Sequence, residues 1–237
     1  MKKLEKKITI LSNIALFCAF IFVFSVCFIP TKTSAVLGGN GTVTAIYNGN
    51  RKNPNVSLMF NVYENTKVVE DILVVLKENN VKATFFVGGC WADDNGDTLN
   101  KIIADGNEIA NHGYFHKDHK KLSYDKNYEE ISLTGVIVKA LCGVQPTLFA
   151  PPSGSFSENT LRAADSLGYK VIMWSKDTID WRDKDIDLVY KRATKNVTNG
   201  DLILMHPKEH TLLALPRILE YYNSIGLKVV TVSENLK

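Results

Sequence analysis

At 237 residues the chain is long enough for one domain of ordinary size with a real core, plus a tail. Its 45% hydrophobic and 22% charged residues are ordinary for a globular protein. The net charge of +3 is concentrated in the tail: residues 1–37 hold Lys2, Lys3, Lys6, Lys7 and Lys32 against Glu5, which leaves −1 on the remaining 200 residues. No basic surface for nucleic acid is indicated.

The first element is an uncharged run, residues 8–29, preceded by four lysines and stopped by Pro30. Roughly 20 apolar residues cross a bilayer as a helix, and the lysines orient the N-terminus inwards. Two readings stand: a retained membrane anchor, or a long signal peptide cleaved near Ala35, after the small residues of "TSA". Both export the remainder. Cys18 and Cys27 lie inside this run. Cys90 and Cys142 have no metal-ligand spacing and read as small core residues, with a disulfide as the alternative.

Beyond a connecting stretch and first strand (38–54), apolar runs alternate with helical periods in what reads as one domain, 55–237. Strands are expected at 42–47, 56–62, 82–88, 108–113, 147–151, 170–175, 201–206 and 227–232. Helical spacing puts Val68, Ile72, Val75 and Leu76 on one face, and Leu161, Ala164 and Leu167 on another, before Gly168. A further helix over 209–225 ends at Gly226 and contains Pro216, which either disturbs it or sits in a first turn. Strand–helix repetition at this spacing means a parallel α/β sheet, either a barrel or an open doubly wound sheet.

The chemistry-bearing residues follow the strands. Asn61 ends the second strand, His112 and His116 follow the fourth, and "APPSG" (150–154) follows the fifth. Asp177, Asp180 and Trp181 come after the sixth, and His206 ends the seventh. In either architecture those strand ends converge on one mouth. Two imidazoles four residues apart can face one cation, which favours zinc or another first-row ion and normally needs a third protein ligand. His119, the third histidine of "HGYFHKDH", is expected on the surface, with a ligand role as the alternative. Asp180 is placed to hold His206 in its charged form or in one tautomer.

Five ordered stretches, "SLMFNV", "HGYFH", "FAPPSG", "DTIDW" and "LMH", together with flanks such as "VKATFFVGG", make the chain resemble the polysaccharide deacetylase (NodB-type) family from about residue 55 to the end. The resemblance implies a single distorted (β/α) barrel and metal-dependent removal of N-acetyl groups from glycans such as peptidoglycan. It implies metal ligation by His112 and His116, a general-acid His206, and Asp180 tuning that histidine. It also implies a substrate-binding surface from Pro151, Pro152, Gly154, Trp181 and Leu204. Three positions depart from the family pattern. Asn61 stands at the base aspartate and cannot usefully accept a proton. Val62 replaces an aspartate that completes the metal site, which implies a weakly held divalent metal, and Ala150 replaces the arginine that orients the base. Two functions follow: an exported de-N-acetylase in which Glu64, or failing it Asp177 or Asp118, replaces the base, and a catalytically degenerate barrel that binds N-acetylated glycan.

Overall fold

The computed structural model describes residues 43–237. The apolar run at 8–29 lies outside those residues, and so does the proposed cleavage point near Ala35. Among the described residues, no helix is long and apolar enough to cross a membrane.

The core of the sheet is β1 (Asn55–Val62), β2 (Thr84–Val87), β3 (Glu108–Asn111) and β7 (Leu202–Met205). β1 is buried from Val56 to Val62 and pairs in parallel with β2 on one side and β7 on the other. A strand buried on both faces must be apolar throughout, which is why "VSLMF" does not alternate. Shorter strands extend the sheet: β4 (Leu148–Phe149), β5 (Lys170–Val171), β6 (Lys176–Asp177) and β8 (Lys228–Val229). The order is β5-β4-β3-β2-β1-β7-β6, with β8 beside the start of β1, and every ladder is parallel. The result is a curled half-barrel α/β sheet.

The strand expected over 170–175 is divided, for a reason visible in its hydrogen bonds. The Ile172 amide still donates to Phe149 O on β4, but the Met173 amide turns to Ile46 O and the Ser175 amide to Leu202 O, beside β7. The segment changes partners while crossing from one edge of the sheet to the other, so only its two ends are regular. Residues 42–47 likewise do not form a regular strand in their described part. Ile46 makes a single bridge to Ile172, and Asn48 one to Asp201. At the chain's end only Lys228–Val229 is strand. Thr231 then accepts from the Glu234 amide and starts a short helix, Val232–Asn235, where strand was expected.

Helices cover the outer face. α1 (Thr66–Glu78) buries Val68, Val69, Ile72, Leu73 and Leu76 on the sheet. α2 (Gly89–Asp94) and α3 (Gly96–Ala104) follow β2, α5 (Glu158–Ser166) precedes β5, and α6 (Ile186–Thr194) precedes β7. α7 (Glu209–Ser224) runs straight through Pro216, which is therefore a helix-interior proline and not a first-turn one. α4 (Tyr124–Cys142) is unusual: the side it buries carries Asn127, Glu130 and Thr134 beside Ile131 and Val138. The main apolar layer lies between sheet and helices and includes Phe60 stacked on Phe85, ring centroids 5.2 Å apart. Burying each such side chain stabilises the fold by roughly 1.5–3 kcal/mol. A second cluster, with Met59, Phe86 and Ile172, fills the sheet's concave interior. Cys90 and Cys142 are free thiols, both half-buried.

Candidate functional site

The register aligns the carboxyl ends of the strands. Val62 is level with Val87, and Asn111, the partner of Val87, is level with Phe149. The next residues of each strand therefore meet at one rim. There a cleft of about 440 Å³ is lined by Asn61, Glu64, His112, His116, Trp181 and His206 among others. The predicted site residues are thus brought together, with informative exceptions.

One wall is built around His206. Its Nδ1 donates to Asp180 Oδ1 and its backbone amide to Oδ2, both at 2.7 Å. Thr211 Oγ1 also donates to Oδ2, at 2.7 Å, and His210 Nε2 donates to the Asp180 carbonyl, at 2.8 Å. Asp180 is 1% exposed. Burial alone would raise its pKa, but the hydrogen bonds and charge of His206, with Thr211, hold it below the usual carboxylate value. With Nδ1 committed, Nε2 is the nitrogen His206 offers to the cleft.

The opposite wall holds its histidines without a carboxylate. His112, 1% exposed, donates from Nδ1 to the Ala150 carbonyl at 2.7 Å, so its Nε2 carries a lone pair. Burial pushes the pKa of His112 well below the ordinary histidine value and lowers that of His116. The two rings lie edge to face with centroids 5.4 Å apart.

The three departures from the family pattern each have a structural counterpart. Asn61 faces the cleft at 5% exposure, and its Oδ1 is buried without a hydrogen-bond partner. The side chain of Val62 belongs to the apolar layer on the other side of the strand. Ala150 is fully buried in the concave interior and contributes its carbonyl to His112. Among the described residues no three His, Cys, Asp or Glu side chains converge as a metal site. Two imidazoles with no carboxylate do not complete the donor set that a catalytic divalent ion requires.

Glu64 sits at the rim, paired with Lys208 Nζ. Asp177 lines the cleft and accepts from the Ile179 amide at 2.7 Å. Asp118 does not line it and is bound to Ser155 and Lys121. In the "APPSG" loop the residue that reaches the cleft is Ser153, at φ 55°, with Pro151 and Pro152 buried behind it. Gly154 is required because a Cβ there would come within 2.8 Å of the Trp174 ring. Leu204 lines the cleft, and Trp181 lines it while 56% exposed. His119, expected on the surface, is fully buried. Its Nδ1 donates to Asn127 Oδ1 at 2.7 Å, because that amide's nitrogen faces three backbone carbonyls and its oxygen is left to accept.

Sequence reasoning missed Tyr63, Ser153, Trp174, Pro207 and Lys208 in the lining. Tyr63 had a usable signal: it lies two residues beyond Asn61, on the same face of an extended strand. Backbone strain also marks the site. Among the described residues, six non-glycine residues have positive φ; three are asparagines, which tolerate it, and the others are His116, Ser153 and Ile179. His116 and Ser153 line the cleft, and Ile179 lies in the turn between Asp177 and Trp181, which do.

A curled parallel sheet with polar residues gathered at the carboxyl ends of its strands, and a carboxylate-backed histidine facing an aromatic-lined cleft, defines an α/β half-barrel protein with its site at the strand ends. The family model described as polysaccharide deacetylase matches residues 48–172, and the chain belongs to that family. It is 36% identical over 189 residues to YlxY of Bacillus subtilis, an uncharacterized protein, covering 80% of this chain and 59% of that one. It is 31% identical over 191 residues to a peptidoglycan-N-acetylglucosamine deacetylase of Bacillus cereus, covering 78% of this chain and 70% of the relative. The crystal structure of BA3943, a CE4 family pseudoenzyme from Bacillus anthracis, superposes with a TM-score of 0.81 at 33% identity, over 83% of this chain and 70% of that one. A mutant of BA3943 with restored enzymatic activity superposes with a TM-score of 0.80, at 31% identity over 83% of this chain and 72% of that one.

Proposed function

We propose that the chain is an exported deacetylase-fold protein that binds N-acetylated cell-wall glycan, such as peptidoglycan, in the histidine cleft with little turnover. The observation that carries this reading is Asn61. Where hydrolysis needs a proton acceptor, the cleft presents an amide whose Oδ1 is unpartnered. Losing a general base costs about 10²–10⁴ in rate. The likeness to a pseudoenzyme supports the reading, and so does backbone strain kept at a site without its base, since strain persists only where the surroundings impose it. Export rests on the lysine-flanked apolar run at 8–29.

A second reading, a slow de-N-acetylase, is favoured by the intact Asp180–His206 pair, which suits protonation of a departing amine. It needs another carboxylate as base, and Glu64 is engaged by Lys208. One experiment separates the two: acetate release and calorimetric binding on N-acetylglucosamine oligomers and purified cell wall. The binding reading expects heat of binding without acetate, and partial rescue of acetate release by Asn61→Asp with Val62→Asp and Ala150→Arg. Acetate release by the wild type that disappears in Glu64→Gln supports the slow enzyme instead. No binding to any of these glycans removes the first reading.

A further inference from the structure

The five backbone amides of the histidine loop, residues 112–116, all find partners within the protein. His112 N donates to Val87 O at 2.9 Å, and Gly113 N to Asn111 Oδ1 at 2.8 Å. Tyr114 N and Phe115 N both donate to Glu130 Oε2, at 2.9 and 2.8 Å, and His116 N donates to the Tyr63 hydroxyl at 2.8 Å. That hydroxyl in turn donates to Gly113 O at 2.6 Å. Tyr63 thus joins the carboxyl end of β1 to both ends of the loop. Its ring meets the His116 ring edge-on with centroids 4.7 Å apart and lies 5.5 Å from that of His112. Gly88 leaves it room, since a Cβ there would collide with the ring.

In a metal site built on this pattern, a carboxylate at the end of β1 and the two imidazoles would be held together through the ion. Here the carboxylate position is Val62, turned into the apolar layer. The link between the same two elements is made by a phenol two hydrogen bonds deep. We infer that Tyr63 has taken over the positioning task of the metal, so that His112 and His116 form a metal-free polar site. In that site His112 Nε2 accepts a hydrogen bond from an N–H or O–H of the bound sugar. The assignment to a sugar rests on the glycan-binding reading above, whereas the replacement of the metal stands on the loop geometry alone. Tyr63 is a positioning residue: it acts through His116 and the loop. The ligand class follows from the tautomer. A lone pair on His112 Nε2 selects a donor, and the acetamido N–H and ring hydroxyls of an N-acetylated sugar are donors.

The test uses the full chain in detergent, titrated with zinc alone and then with N-acetylglucosamine oligomers, with and without chelator. The expected result is no saturable zinc uptake, and a melting temperature that neither zinc nor chelator moves. Glycan affinity should be the same in both buffers. Tyr63→Phe should weaken that affinity by roughly three- to tenfold, the worth of one net hydrogen bond. It should also shift the ring ¹⁵N signals of His116 while leaving those of His206, on the opposite wall, in place. Stoichiometric zinc uptake that raises the melting temperature overturns the inference, as does glycan binding that chelator abolishes. Absence of glycan binding in both buffers overturns the assigned sugar hydrogen bond together with the glycan reading. In that event the zinc titration, which needs no variant, still decides whether Tyr63 has replaced the metal.

Discussion

The two walls of the cleft hold their histidines by different means. His206 is backed by a buried carboxylate that is itself bound by Thr211 and by His210 through its carbonyl. His112 is backed by a neutral carbonyl, and His116 is set by a phenol at its amide. A carboxylate behind an imidazole stabilises its charged form, whereas a carbonyl fixes a tautomer without stabilising charge to the same degree. The first wall thus presents an imidazole held by a carboxylate, and the second presents imidazoles held by neutral partners. The departures from the family pattern lie at the end of β1, Asn61 and Val62, and just after β4, Ala150, and none touches the Asp180–His206 wall.

Breaking the carboxylate wall should have the largest effect. In Asp180→Asn the amide nitrogen or oxygen must face two donors that Oδ2 now serves, the His206 amide and the Thr211 hydroxyl. Three hydrogen bonds lose their charged acceptor, each worth about 1.5–3 kcal/mol, a loss that urea denaturation would register. A loss below ~1 kcal/mol would mean that the network does not anchor that wall. On the other side, Glu130→Ala leaves the Tyr114 and Phe115 amides without their acceptor. The expected cost is smaller, about 1–3 kcal/mol, with hydrogen exchange accelerated in residues 112–116. Unchanged exchange there would show that Tyr63 suffices to hold the loop.

How much of this was legible in the sequence differs between the walls for the same physical reason. "DLILMH" and "DTIDW" announce the carboxylate wall because an apolar run ending in histidine, and an aspartate beside tryptophan, are local patterns. The other wall depends on α4, whose buried side carries Asn127, Glu130 and Thr134 where periodicity looks for apolar residues. Its polar groups are inside because they meet a loop, not a sheet. His119 was misplaced for the same reason: a histidine among lysines reads as surface, yet it is the residue Asn127 receives. The strand over 170–175 was legible as an apolar run but not as a segment that changes partners, since that depends on where both sheet edges come to lie.

The pH response sharpens the contrast further. Burial lowers the pKa of His119, as it does those of His112 and His116. The groups facing His119 include Asn127, Glu130 and Asp118, which oppose that shift without reversing it. A histidine with a depressed folded pKa binds fewer protons folded than unfolded, so its contribution is complete above about pH 6.5 and lost as the pH falls towards the folded value. Asp180, also depressed, adds a loss only below its unfolded value of about 3.9. The urea midpoint should therefore fall between pH 7 and 5, ahead of the carboxylate wall. His119→Leu should flatten that slope whatever it does to the midpoint at pH 7. An identical slope in the variant would remove His119 from the account.

The smallest effect on stability should come from Ile179→Gly, and it bears on why the strain is there. A β-branched residue at φ 54° costs about 1–3 kcal/mol. The surroundings impose it: the Ile179 amide donates to Asp177 and its carbonyl accepts from the Arg182 and Asp183 amides. On the preceding residue, Arg192 binds the Thr178 carbonyl and the Thr178 hydroxyl binds Leu204 O. Glycine relieves the strain but adds about 0.5–1 kcal/mol of chain entropy to lose on folding, besides forfeiting a half-buried side chain. The net change in melting temperature should stay within about 2–4 °C of the wild type. Glycan affinity should nonetheless drop, because the freed turn no longer fixes Trp181 at the rim beside the Asp180–His206 pair. A variant that melts much earlier yet binds as before would mean that the strained turn serves the fold and not the cleft. The carboxylate wall would then be a structural element with no part in holding the sugar.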